Sequence, residues 1–254
     1  EALVQEAEAI ANFLAVPLPE LRASVRALRD RGILIPRGRY LYVSPELLAI
    51  SAAAELWDEW GPDLIKIVDS LPGPKPRREL LKRMAAMGEH ARVRQAVESL
   101  LDEDGLFKTL ADLDDEFRSE MLRILSSAVP GKAAEVLERI IAKGSKDELL
   151  GFERGRRNVM WTIETLVRWP ETSLSAARSL RALALAENEN IGNNATGIFC
   201  QFFHMYLSGS PLPLLERLTL VDELLESPDE NSRILAVKAL TAGLQHHESR
   251  MGGE

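Results

Sequence analysis

Few residues of this chain have the types and spacing that catalysis or metal binding needs. Its four histidines, His90, His204, His246 and His247, do not form a metal-ligand set with the single cysteine, Cys200. Loops of the type G-x-x-x-x-G-K-[ST], elbows of the type G-x-S-x-G and the zinc motif H-E-x-x-H are all missing from the sequence. The sequence therefore predicts no catalytic residue, no cofactor and no metal.

The single cysteine is predicted to be a structural residue. Cys200 lies between Phe199 and Phe202 in an apolar segment, where a buried small hydrophobe is expected rather than a nucleophile. One cysteine also excludes an intrachain disulfide, which is typical of a reducing compartment.

Two polar segments have both a structural and a ligand-binding interpretation. The acidic cluster Asp112, Asp114, Asp115 and Glu116 could hold a cation, but we expect it to stabilise the positive end of a helix that begins there. Residues 187–197 contain four asparagines within seven positions. They are predicted to form the turn between two helices and to cap the second one, with a ligand-contact loop as the alternative.

Arginines supply the candidate contact residues for a partner. Over residues 20–39, six arginines face two acidic residues, a local charge of +4, whereas residues 1–60 as a whole carry −3. This arginine group has three interpretations: DNA contacts, contacts with an acidic protein surface or another domain, or a solvated surface. The candidate contacts in this group are Arg22, Arg26, Arg29, Arg37 and Arg39.

A second arginine group precedes Trp161. Arg154, Arg156 and Arg157 are predicted to be exposed in one loop between helices, where they would meet an acidic partner. A basic loop that compensates nearby acids is the alternative. Over the whole chain 31 basic residues face 39 acidic ones, a net charge of −8, which argues against a general nucleic-acid coat or a polybasic membrane binder.

The elements that carry the first arginine group are predicted to be helix, turn, helix, hairpin and helix. Leu21, Val25 and Leu28 give a helix over about 19–31 one apolar face, and Gly32 is placed as its left-handed cap. Strands are predicted near 33–35 and 40–43 and are expected to be the only β-structure. Ser44 and Pro45 are predicted to begin the next helix. This order is typical of a winged-helix domain.

Beyond residue 76 every segment has helical periodicity. Pro130, Pro170 and Pro211, spaced by 40 and 41 residues, each precede a leucine-rich helix that a second helix follows. Paired helices with this period are the HEAT or armadillo pattern of an α-solenoid. The predicted helices are 133–141, 156–167, 172–186, 191–207, 214–225 and 229–244. The residues predicted to fill the layer between helices are Trp161, Ile198, Phe202 and Val237.

The predicted fold class is therefore mostly α, a small winged-helix domain followed by a HEAT/armadillo-like α-solenoid. We expect the winged-helix domain at 1–60, a helix and a Pro-rich linker at 61–76, and the helical repeats at 77–254. No apolar run approaches the roughly 18 residues of a membrane span, and a signal peptide is not recognisable, so a cytoplasmic protein is expected. The missing initiator methionine and the abrupt end are expected of a piece of a longer protein.

The order of winged helix and HEAT-like helices resembles the region that follows the nucleotide-binding module in bacterial STAND NTPases, AAA+-related signalling proteins. The run Leu-Ala-Glu-Asn-Glu-Asn-Ile-Gly-Asn-Asn-Ala-Thr-Gly-Ile-Phe at 185–199 resembles helix junctions of such regions. The resemblance implies a winged helix that packs on the nucleotide-binding module and repeats that bind a ligand or a protein. It implies a non-catalytic sensor fragment, because the P-loop is not in this chain. A DNA-binding winged-helix transcription regulator with a helical effector domain is the alternative, and a helical enzyme comes third.

Overall fold

The structure, a computed structural model, describes residues 2–38, 40–60, 68, 70–206 and 208–244, and it is mostly helical. The chain divides into two compact units, unit 1 at Glu1–Val97 and unit 2 at Glu98–Glu254. Unit 1 thus extends beyond the predicted boundary after residue 76. Among the described residues, no helix combines the length and the hydropathy that crossing a membrane requires.

Unit 1 begins with two helices, a β-hairpin and a third helix, in the order that the sequence predicts. The strands pair antiparallel, with Leu34 opposite Val43 and Pro36 opposite Leu41, and form the one sheet found in the described part of the chain. The predicted strand positions are thus confirmed to within two residues. The elements are α1 (Ala2–Phe13), α2 (Leu18–Asp30), β1 (Leu34–Arg37), β2 (Tyr40–Val43), α3 (Glu46–Trp60), α4 (Pro74–Ala86) and α5 (Ala91–Leu101), within which the division between the units falls.

Glycine and proline set the ends of these elements. Gly32 has the predicted left-handed conformation, with φ at +73°, and its N–H donates to the carbonyl of Arg29 to close α2. α3 begins at Glu46, one residue later than predicted, and the Ser44–Pro45 bond before it is cis. Pro74 lies in the first turn of α4, so the predicted linker is partly helical. The helix predicted at the start of the 61–76 segment, over about 63–70, lies mostly outside the described residues.

The described core of unit 1 is concentrated away from its first helices. Leu81 and Met84 of α4 and Val93 of α5 are fully buried, whereas α2 has no buried residue. The apolar face of α2 is therefore only half covered within the described part of unit 1.

Unit 2 consists of short and medium helices. Pro130 and Pro170 stand in the first turns of two of them, as predicted, because proline lacks the N–H that a first turn leaves unpaired. The helix predicted at 214–225 is confirmed at Leu214–Leu225 and begins three residues after Pro211. The elements are α6 (Leu110–Leu113), α7 (Glu116–Leu125), α8 (Pro130–Leu137), a π-helical turn (Glu138–Ala142), α9 (Lys146–Leu150), α10 (Arg156–Leu166), α11 (Pro170–Leu185), α12 (Ala195–Gln201), α13 (Leu214–Leu225) and α14 (Glu230–Leu244).

Helices of unit 2 pack both on their neighbours in the chain and on helices about three elements away. α11 contacts α8, α10, α12 and α14, while α7 packs on α10 and α13 packs on α14. Side-chain hydrogen bonds repeatedly join residues 36 to 45 positions apart. Examples are Asn158 Nδ2 to Ser119 Oγ at 3.1 Å and Ser175 Oγ to Glu138 Oε2 at 2.8 Å. This separation agrees with the period of about 40 residues between helix-starting prolines.

Two of the four residues predicted to fill the layers between helices do so. Ile198 and Phe202 are buried, but Trp161 is 46% exposed and Val237 is 58% exposed. The prediction was wrong for these two because each lies on the outward side of its helix. The helix predicted at 191–207 is also shorter, since residues 191–194 form the turn before α12.

Candidate interaction surfaces

The first surface is the exposed arginine row of α2. Arg22, Arg26 and Arg29 lie about 100° around the helix from its apolar face, because they follow Leu21, Val25 and Leu28 by one residue. All three arginines are exposed, and within the described residues they form no ion pair. The structure therefore brings these three predicted contacts together on one helix face.

An apolar groove of about 600 Å³ adjoins this row. Its floor combines Ile10 of α1 and Leu21 and Val25 of α2 with Leu34 and Leu41 of the hairpin. Arg22 and Arg26 line its α2 side, and Glu6 lines its α1 side. We call this space the unit 1 groove. Its walls differ in charge, positive along α2 and negative along α1.

Arg37, another arginine of the first group, lies in β1 of the hairpin. The Arg37 guanidinium lies 5.7 Å from the centre of the Tyr42 ring, a cation–π contact on the hairpin face opposite to Leu34 and Leu41. Arg39 lies outside the described residues. Arg37 is exposed but does not line the unit 1 groove.

The second arginine group does not form one exposed loop, which corrects the prediction. Arg156 is 1% exposed and begins α10. Its guanidinium donates to the carbonyls of Leu149 at 3.2 Å, Leu183 at 3.0 Å and Ala186 at 3.2 Å, and to the Glu187 carboxylate at 3.4 Å. Burial lowers the pKa of Arg156, although the negative charge of Glu187 acts against this shift. Arg156 therefore stabilises the fold and is not available to a partner.

Its neighbours are more accessible. Arg157 also belongs to α10 and pairs with Glu189 at 3.2 Å, with 41% of its side chain exposed. Arg154 precedes the helix, has 75% of its side chain exposed, and lies 3.7 Å from Asp114. Of the three predicted contacts, Arg154 is the most accessible.

The acidic cluster organises helix ends, as predicted. Asp115 caps α7 by accepting from the N–H of Arg118, and Asp112 forms a capping box with Thr109. Burial alone would raise the pKa of Asp112, but hydrogen bonds from the backbone N–H groups of Thr109 and Lys108 outweigh it and hold the pKa below its usual range. Among the described residues, no group of three or more potential ligands is placed to hold a metal ion.

The asparagine-rich turn also caps a helix. Asn194 caps α12 by accepting from the N–H of Gly197 at 2.9 Å. Asn188 donates to the carbonyls of Leu150 at 2.9 Å and Phe152 at 3.1 Å, 38 and 36 residues earlier in the chain. The predicted capping role is confirmed for Asn194, and Asn188 connects the turn to the preceding helix pair.

Cys200 is only half-buried, less than the sequence predicts. Burial raises the pKa of its thiol, and the positive charge of Lys238 opposes that shift. The protonated thiol is the less nucleophilic form.

A surface that the sequence analysis missed lies on α14. This helix buries mostly small residues, with Ala236 and Ala239 fully buried beside Leu235, and exposes four large apolar side chains on the opposite side. The signal in the sequence is the separation of small and large residues onto opposite faces at helical spacing. We call the exposed set the α14 stripe. It consists of Ile234, Val237, Leu240 and Leu244, with exposures of 47%, 58%, 39% and 77%.

Comparisons with protein-family models, with curated proteins and with solved structures found no match to this chain.

Proposed function

We propose that this chain is a non-catalytic regulatory or sensor region of the kind found in bacterial STAND NTPases. In this proposal a winged-helix unit packs on a nucleotide-binding module, and a HEAT-like array of helices binds a ligand or a protein partner. The binding role of the helical unit is the part that depends on the surfaces described above.

The order of elements supports the winged-helix part of the proposal. Two helices, an antiparallel hairpin and a third helix follow one another within residues 2–60. The hydrogen bonds that join residues 36 to 45 positions apart support the repeat part, because stacked repeats of about 40 residues place equivalent positions side by side.

The observation that carries the binding role is the orientation of α14. A surface helix of a globular protein normally turns its large apolar residues inward and its small or polar residues outward. α14 turns only one large apolar residue, Leu235, inward. Ala236 and Ala239 are buried beside it, while Val237 and Leu244 are more than half exposed. A grouped apolar stripe of this kind marks an interaction site more often than a chance surface. We infer that the α14 stripe binds another protein surface.

Replacement of the stripe's apolar side chains by charged ones tests this proposal. The double variant Ile234→Glu and Val237→Glu should abolish the signalling output of the full-length protein, because two carboxylates in an apolar interface are desolvated without partners. Its matched control is Asn231→Glu with Lys238→Gln, which changes the net charge by the same amount at exposed residues beside the stripe without replacing any of its apolar side chains. Thermal melting establishes that both variants are folded. Unchanged output of the stripe variant would refute the binding role.

DNA binding is the second candidate, and the exposed arginine row favours it. Arg22, Arg26 and Arg29 project from the helix that, in a winged-helix domain, enters the major groove. Electrophoretic binding to mixed duplex DNA, with Arg22→Ala plus Arg26→Ala as the comparison, separates this candidate from the first.

A further inference from the structure

We propose that the unit 1 groove is the binding site for an amphipathic helix of a protein partner, with acidic residues along the flank that faces α2. The inference concerns a different surface from the α14 stripe. It depends on the proposed function only in treating the chain as a protein-binding region.

α1, α2 and the hairpin face the same space and are incompletely buried there. α2 is 13 residues long and has no buried residue, although Leu21, Val25 and Leu28 form a continuous apolar face. Isolated helices of about 12–15 residues are marginal in water, so packing of that face must supply most of the stability of α2. The groove is where this packing is missing from the described residues.

The hairpin also contributes to the unit 1 groove. Leu34 pairs with Val43 and Pro36 pairs with Leu41, so Leu34 and Leu41 point to the same face of the two strands. That face forms part of the groove floor, and Leu41 is 43% exposed there. Two helices and a sheet face therefore enclose the groove. A peptide that binds by adding a strand needs a sheet edge, whereas the groove presents a sheet face. A helix that inserts apolar residues at every third or fourth position fits such a floor.

The two walls of the unit 1 groove carry opposite charges. Arg22 and Arg26 line the α2 side, and neither forms an ion pair with a described residue. Glu6 lines the α1 side. A helix with carboxylates on one flank and neutral or basic residues on the other complements both walls, and the difference between the walls fixes its orientation.

A synthetic peptide tests the proposal directly. The probe is a fluorescein-labelled helix-forming peptide of the length of α2, with leucines at i, i+3, i+4 and i+7 and glutamates on one flank. A second peptide has lysines in place of the glutamates. Fluorescence anisotropy should show that the chain binds the glutamate peptide about tenfold more tightly than the lysine peptide. Binding should also slow amide hydrogen exchange in α2.

Charge reversal of the groove wall identifies the site. Arg22→Glu plus Arg26→Glu should weaken binding of the glutamate peptide about tenfold and strengthen binding of the lysine peptide. The control is Arg29→Glu plus Arg31→Glu, the same charge change on exposed arginines that do not line the groove. This control should leave both affinities within about twofold.

Three results would overturn the proposal: no binding of either peptide, equal binding of both, or an equal effect of the two double variants. Binding of duplex DNA in place of the peptides, lost on Arg22→Glu plus Arg26→Glu, would assign this wall to nucleic acid instead. If the reversed variant fails to fold, Arg22→Gln plus Arg26→Gln should abolish the preference for the glutamate peptide. If neither peptide binds to the groove but the α14 stripe variant loses signalling output, the groove site is rejected and the proposed function stands.

Discussion

Arg156 is a single side chain that completes the ends of two helices. Its donors reach the carbonyl of Leu149 in α9 and the carbonyls of Leu183 and Ala186 at the end of α11. The last carbonyls of a helix have no partner within the helix, and a cation near that end also interacts favourably with the helix dipole. Arg217 acts similarly, because it is buried and donates to the carbonyls of Phe202 and His204 just after α12.

Loss of the Arg156 guanidinium should therefore destabilise unit 2 strongly. We expect Arg156→Met to lower the free energy of unfolding by about 3 kcal/mol, because three buried carbonyls and a carboxylate lose their donor. The matched control is Arg157→Met, which removes a half-exposed ion pair and should cost less than about 1 kcal/mol. Urea denaturation followed by circular dichroism measures both. Equal losses for the two variants would contradict the role assigned to Arg156.

At the scale of elements, Glu223 connects α13 to α11. Its carboxylate accepts a hydrogen bond from Arg178 at 3.0 Å and another from Arg181. Burial alone would raise the pKa of Glu223, but the two arginines outweigh it and hold the pKa below the usual 4.5. The folded protein therefore binds this proton less readily than the unfolded chain does.

This shift predicts a pH-dependent effect of Glu223→Gln. A carboxylate whose pKa is lower in the folded protein stabilises the fold at pH values above its unfolded-state pKa. This stabilisation disappears as the pH falls through the folded-state pKa. The variant should be less stable than the parent at pH 7, by no more than about 1 kcal/mol because Glu223 is partly exposed. The difference should shrink as the pH falls below 4.5 and through the lowered folded-state pKa. Thermal melting of Glu223→Gln and the parent over these pH values measures the difference, with Asp222→Asn as the control. A stability difference that did not depend on pH would contradict the role assigned to Glu223.

The two faces of α14 predict opposite responses to substitution. Ala239→Leu should lower the free energy of unfolding by about 1–3 kcal/mol, because Ala239 is fully buried against neighbouring helices. Val237→Ser should change it by less than about 0.5 kcal/mol, because Val237 is mostly exposed. Urea denaturation of the two variants checks the orientation of the helix. A larger loss for Val237→Ser would mean that the stripe is buried.

Local signals predicted element boundaries well. Gly32 indicated where α2 ends and the hairpin begins, and Pro130 and Pro170 indicated where two helices begin. These signals act through the backbone of a few residues, so they can be recognised without knowledge of the fold.

Burial was less predictable than secondary structure. The sequence placed Arg156 on the surface, yet its partners at 149, 183 and 186 reach it only through the packing of α9 and α11. It placed Val237 in the core, because the small residues at 236 and 239 did not reveal which face of α14 lies inward. Such assignments depend on neighbouring helices, whose positions a single sequence does not specify.

At the scale of the whole molecule, charge limits the partners. The net charge of −8 and the charge of −3 over residues 1–60 oppose association with a polyanion, despite the arginine row on α2. We expect duplex DNA to bind with a dissociation constant above about 10 μM at physiological salt, or not at all. Electrophoretic mobility shift measures this. Submicromolar, sequence-selective binding that Arg22→Ala plus Arg26→Ala abolishes would contradict it.

The short reach of the side-chain hydrogen bonds in unit 2 also bears on how the unit responds to mechanical load. Bonds that join residues 36 to 45 positions apart connect each helix mostly to the helix pair before or after it. When α14 detaches, it gives up partners on α11, α12 and α13, and the bonds between earlier helices are not among those broken. On the proposed repeat architecture, a pulling force applied beyond α14 would unfold the unit in successive steps rather than in one rupture. A partner bound to the α14 stripe would lie where this unfolding begins. Its affinity for the stripe would then determine the force at which the first step occurs.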